Sequence, residues 1–127
     1  MKIKIVGTWS LESFLIENPQ GESRNWGNGS QGLLIYTESG HMSVSINKQV
    51  ENKSTIEAQN FFDSILFYSG TYFIEGMTIK HKVTQASNPN RIGKELLRFA
   101  SLEADVLTLK SPLESFGTAI LKWRKTA

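Results

Sequence analysis

The sequence predicts an all-β fold of eight antiparallel strands in up-and-down order, closed into a barrel, with one amphipathic helix inserted near 55–66. Three observations carry this. Short stretches alternate apolar and polar residues with a period of two, and turn-forming residues separate them, the pattern of hairpin-linked strands. A first such stretch at 7–16 (GTWSLESFLI) and a last at 118–124 (TAILKWR) sit at opposite ends of the chain and can pair. An antiparallel meander of eight strands that pairs first with last becomes a barrel able to hold one small ligand.

The composition narrows the function classes. At 127 residues the chain is read as one domain, 1–127, which buries about two-thirds of its unfolded surface. Apolar residues at 39% and charged residues at 20% are those of an ordinary globular protein. A net charge of +2, from 14 basic and 12 acidic residues, gives no field suited to nucleic acid. Only Lys122, Arg124 and Lys125 cluster, at the chain end. The lack of cysteine removes disulfides, thiolate catalysis and zinc-thiolate sites. His41 and His81 are the only histidines, and no carboxylate cluster accompanies them, so neither metal nor cofactor is expected. No apolar signal region opens the chain, and no run approaches the roughly 18 apolar residues of a membrane span. The expectation is a cytoplasmic protein without a membrane span.

In order, the glycine of Gly7-Thr8-Trp9 lets the backbone pass close to a neighbour while the indole fills one end of a core. Residues 17–31 (ENPQGESRNWGNGSQ) form a polar loop whose one large apolar residue, Trp26, suggests a segment folding back over something. Residues 32–37 and 41–47 make a hairpin about Glu38-Ser39-Gly40, with Met42, Val44 and Ile46 on one face of its second strand. Ser54 and Glu57 are spaced as a capping box, and Ala58, Phe61, Phe62, Ile65 and Leu66 form a helical stripe, hence a helix over 55–66. Strands follow at 68–75 and 77–85, then a loop at 86–92, and strands at 93–101, 106–110 and 118–124.

Few residues carry chemistry. Gly27-Asn28-Gly29-Ser30-Gln31-Gly32 spells G-x-G-x-x-G, but it precedes a strand and not a helix N-terminus, so it is loop punctuation. There is no G-x-S-x-G elbow for a serine nucleophile. Glu12 falls on the face opposite Trp9 and is expected outside. In 77–83 (MTIKHKV), Lys80 and Lys82 share the face that meets water, which sends His81 inward beside Ile79 and Val83. A buried imidazole must be hydrogen-bonded. It is either a core histidine satisfied by a neighbouring tyrosine or serine, or a polar anchor or general base in a cavity. Tyr36, Tyr68 and Tyr72 lie on strands, and together with Ser43 and Ser45 they could make a mixed pocket. His41 sits at a hairpin edge and is expected to be exposed. The face of Arg98 is open, because Leu96 and Leu97 are both apolar.

Gly7-Thr8-Trp9, Gly32-Leu33-Leu34-Ile35-Tyr36-Thr37 with Gly40-His41-Met42-Ser43, Tyr68-Ser69-Gly70-Thr71-Tyr72, Asn88-Pro89-Asn90 with Gly93 and Arg98, Leu107-Thr108-Leu109 and Trp123 recur in order and spacing along nearly the whole chain. In these pieces the chain resembles the lipocalin-like domain family, small bacterial and fungal relatives of the calycin barrels. The resemblance implies a G-x-W tryptophan packed at the closed end and an arginine late in the last strand lying over it, for which Arg124 is the candidate and Lys122 the fallback. Gly7, Trp9, Trp123 and Arg124 are thus the expected closure of the barrel. Tyr36, Tyr72, His81 and Arg98 match recurrent polar positions of the family. Some relatives belong to natural-product biosynthesis, where calycin-like barrels act as cyclases or isomerases.

The expected function is binding of a small hydrophobic or amphiphilic molecule inside the barrel, by a monomer or homodimer. Trp26, Tyr36, Ser43, Ser45, Phe62, Tyr68, Tyr72, His81 and Arg98 are the candidate ligand contacts, with Trp26 and Phe62 as possible lids. The alternatives are a cofactor-independent isomerase or cyclase using His81 and Tyr72, and a filled barrel with a structural or protein-binding role.

Overall fold

Alternating stretches become strands only where another stretch can take up their backbone donors and acceptors. The computed structural model describes residues 3–26, 29–48 and 65–127. It contains β1 (Gly7–Glu17), β2 (Ser23–Asn25), β3 (Gln31–Tyr36), β4 (His41–Asn47), β5 (Ile65–Glu75), β6 (Thr78–Ala86), β7 (Glu95–Glu103), β8 (Val106–Lys110) and β9 (Thr118–Lys125), with a short 3-10 turn at Pro89–Arg91. Each strand from β3 to β9 pairs antiparallel with its successor, and β1 pairs with both β3 and β9. The sheet therefore closes as an eight-stranded antiparallel barrel.

β1 holds the seam. Its first residues, Gly7 to Ser10, pair with Tyr36 to Leu33 of β3, while Trp9 to Glu17 pair with Lys125 to Thr118 of β9. The ninth strand, β2, is a three-residue flap on Leu15, Ile16 and Glu17 and stands outside the ring. It lies within the stretch expected to be loop.

The register of β1 on β9 slips between Leu11 and Ser13, so Glu12 is an extra residue, a β-bulge. The inward set changes parity there: Trp9 and Leu11 before the bulge, Phe14 and Ile16 after it. Simple alternation along 7–16 does not foresee that change. Glu12 itself points outward and pairs with Arg124 across the seam. Both side chains are well exposed, so the pair adds at most about 1 kcal/mol.

A second slip, between Ser69 and Gly70, leaves Thr84 unpaired on β6 and brings Gly70 hard against the Lys82 carbonyl. A Cβ on Gly70 would overlap Lys82 O, a backbone atom that cannot rotate away. Gly70→Ala should cost about 1–3 kcal/mol, as overpacking does. Denaturant titration against the parent protein measures it, and an unchanged midpoint would show that the bulge relaxes freely.

The closed end is built by the two termini and Trp9. The indole is 1% exposed and donates from Nε1 to the Ile5 carbonyl at 2.9 Å, which also fixes Ile5 as part of the plug. Ala127 crosses beside Gly7: Thr8 N donates to Ala127 O at 3.1 Å. Gly7 adopts φ +143°, and a Cβ there would meet the Ala127 carbonyl at 2.5 Å. The close approach expected of this glycine is thus to the C-terminal residue.

One part of the expected closure is corrected. Arg124 does not lie over the Trp9 indole, because it takes the outward side of β9, beside Glu12. Lys122 is also exposed. Lys125 covers the ring instead, with Nζ 5.8 Å from the ring centroid.

Of the helix expected over 55–66, residues 55–64, including Phe61 and Phe62, lie outside the described residues. Ile65 and Leu66 are not helical: they open β5 and pair with Asn47 and Ile46. Among the described residues no helix is long and apolar enough to cross a membrane.

Candidate functional site

The turns at 37–40, 76–77 and 104–105 gather with both termini at the closed end. The longer connections leave the other end as a mouth. Between them the barrel encloses a cavity of about 930 Å³. The apolar half of its wall comes from Phe14 and Ile16 of β1, Leu34 of β3, Val44 and Ile46 of β4, and Leu121 of β9. Each of these follows from the inward parity of its strand.

The polar part of the cavity is centred on His81, which is 1% exposed. Its partners come from β3, across the barrel interior, and from the adjacent β5. Tyr36 Oη lies 2.6 Å from Nε2, and Tyr68 Oη lies 2.7 Å from Nδ1. Tyr72 stands directly opposite His81 on β5, donates its hydroxyl to the Thr37 carbonyl at 2.6 Å, and meets Tyr36 edge-on at 4.8 Å between centroids. The face of Arg98, left open by pattern, is decided by register. It pairs with Ile79, which is inward and fully buried, and cross-strand partners share a face. Arg98 therefore points into the barrel.

Burial first, and then the positive charge of Arg98, lower the His81 pKa to about 3, so the imidazole is neutral at ordinary pH. Burial likewise raises the pKa of Tyr36 and of Tyr68, although Arg98 and Arg91 pull the latter back. Both tyrosines keep their protons. A neutral imidazole has one N–H, so one tyrosine donates to it and the other accepts from it. Tyr36 is wholly buried and His81 is its one hydrogen-bond partner among the described residues, so it must be the donor, to Nε2. Nδ1–H then donates to Tyr68, whose own O–H is left free. Tyr68 lines the cavity, whereas Tyr36 and Tyr72 lie behind it.

The expected site residues thus separate. Trp26, Tyr68, His81 and Arg98 line the cavity together. Tyr36 supports His81 from behind, and Tyr72 packs edge-on against Tyr36. Ser43 and Ser45 do not reach it: they pair with Ile35 and Ser69, and with Leu33 and Phe67, on the outer face of β4. The strict alternation of 41–47 contains that answer, since Met42, Val44 and Ile46 take the inner face. Phe62 lies outside the described residues. Trp26 stands at the mouth, stacked on Phe14 at 4.9 Å, with Lys48 Nζ 4.4 Å over its ring. Trp123, expected only as closure, is 1% exposed and lines the cavity as well. His41 is exposed at its hairpin edge and bonded to Ser39.

Sequence reasoning missed the charged lining of the cavity. Arg24, Lys48, Arg91 and Lys94 come from three separate connections, so no local run of charge announces them. Among the described residues no three His, Asp or Glu side chains converge as metal ligands would.

The family model for the lipocalin-like domain matches residues 6–126. The chain belongs to the lipocalin-like domain family. That membership agrees with the closed antiparallel barrel and with the G-x-W segment at its closed end. Among solved structures the lipocalin-like chain is similar to a redesigned β-barrel, at 11% identity and a TM-score of 0.48, over 96% of this chain and 90% of the other. No curated protein matches it.

Proposed function

We propose that this lipocalin-like barrel binds a small, largely hydrophobic molecule in its cavity. The observation that carries the reading is the cavity itself, about 930 Å³, walled in part by apolar side chains of β1, β3, β4 and β9 and in part by polar and basic groups that can fix a ligand's orientation. Binding is favoured over general-base catalysis by the state of His81. Both ring nitrogens are already engaged by tyrosines, and the ring has little affinity for a proton at neutral pH. His81 serves as the brace that aims Tyr68.

The test uses Nile red, an uncharged apolar dye that brightens when it leaves water. Saturable binding with one dye per chain is expected, quenched by Val44→Trp, which fills the cavity from its wall. A dye that stays dark, or that binds equally to the filled variant, would assign the barrel a structural role instead.

A further inference from the structure

Resting on the reading that the cavity takes a ligand, we infer that the ligand is an amphipathic organic acid, whose acidic head is received by Arg98, Tyr68 and Trp123. The first observation is charge. The cavity is lined by Arg24, Lys48, Arg91, Lys94 and Arg98 against one acid, Glu114, in a chain whose basic and acidic residues number 14 and 12. Basic side chains are concentrated here far beyond their overall excess. Arg98 is the one borne on the inner face of a strand. No carboxylate lies within ion-pair distance of it among the described residues; it donates to the carbonyl of its neighbour Leu97 at 2.9 Å and lies beside the Tyr68 hydroxyl. A guanidinium has five N–H donors, so most of its capacity is unspent.

The second observation is the kind of polar group carried by the lining residues. Trp123 Nε1 is buried with no acceptor in reach among the described residues. A buried donor left bare is costly, and a ligand acceptor relieves that cost. The Tyr68 hydroxyl, held from behind by His81 Nδ1–H, also has a proton to give. Arg98, Trp123 and Tyr68 are therefore all donors. A neutral hydrocarbon would leave the Trp123 N–H and the Tyr68 O–H unpaired and the charge on Arg98 unanswered. A carboxylate offers about four acceptor sites on one small head and neutralises the charge on Arg98. The apolar body of such an acid then lies along Phe14, Ile16, Val44 and Ile46.

The experiment compares dodecanoic acid with 1-dodecanol, which has the same chain and no charge, by displacement of Nile red near neutral pH. The unaltered protein should prefer the acid by about 10- to 100-fold, the range for hydrogen bonds to a charged group. Arg98→Met should erase that preference while leaving dodecanol binding in place. Tyr68→Phe removes only the hydroxyl and should lower the preference several-fold, which keeps the test available if the arginine variant folds poorly. Equal affinity of the unaltered protein for acid and alcohol would overturn the inference, as would a preference that survives Arg98→Met. Failure of the underlying cavity reading looks different, because Nile red itself would then not enter.

Discussion

Trp9→Ala should remove about 3–5 kcal/mol of folding stability, the range for deleting a large buried aromatic. The indole is 1% exposed, its N–H holds the Ile5 carbonyl at 2.9 Å, and its strand is the one that joins β3 to β9. Truncation opens a cavity at the closed end and frees Ile5, itself buried, from its tie. The loss therefore has two sources, apolar burial and the anchoring of the N-terminal segment. Equilibrium denaturation reads the sum, and Trp9→Phe separates them by keeping most of the packing while dropping the hydrogen bond. A loss below about 1 kcal/mol for Trp9→Ala, the level of an ordinary surface change, would mean that the plug does not hold the barrel.

Acid should weaken the fold through His81. Its pKa in the native state is lowered from 6.5 to about 3, so between these values the unfolded chain binds the proton and the folded chain does not. Stability is then full above about pH 6.5 and falls as the pH drops toward 3. At 1.36 kcal/mol per pKa unit, the loss from this residue between pH 7 and pH 4 is about 3 kcal/mol. Denaturant titrations at the two pH values should show that loss in the parent and about 3 kcal/mol less of it in His81→Gln, which has no proton to take up. Equal pH dependence in the two proteins would place the acid sensitivity elsewhere.

Much of the barrel was legible in the chain because burial on one face of a strand writes a period of two into its residues. The 41–47 and 77–83 stretches show this most plainly: Met42, Val44 and Ile46, and then Ile79, His81 and Val83, all face inward as their spacing implies. Arg98 shows the limit. With Leu96 and Leu97 both apolar the period is lost, and only pairing with Ile79 settles the face. β2 left no pattern because a three-residue flap buries no face of its own.

The sequence by itself determined the strand order, the inward turn of His81 and the burial of Trp9, since each follows from local periodicity and a need to leave water. Only the tertiary structure decided the rest. The bulge at Glu12 resets the inward set of β1, because two strands of fixed geometry must meet a closed circumference. Lys125, rather than Arg124, covers the Trp9 indole, because Arg124 takes the outward side of β9 next to inward Trp123 and β9 runs beside Trp9 at the seam. And the gathering of Arg98, Tyr68 and Trp123 about one cavity joins β7, β5 and β9, residues that share a wall only once the first strand has met the last.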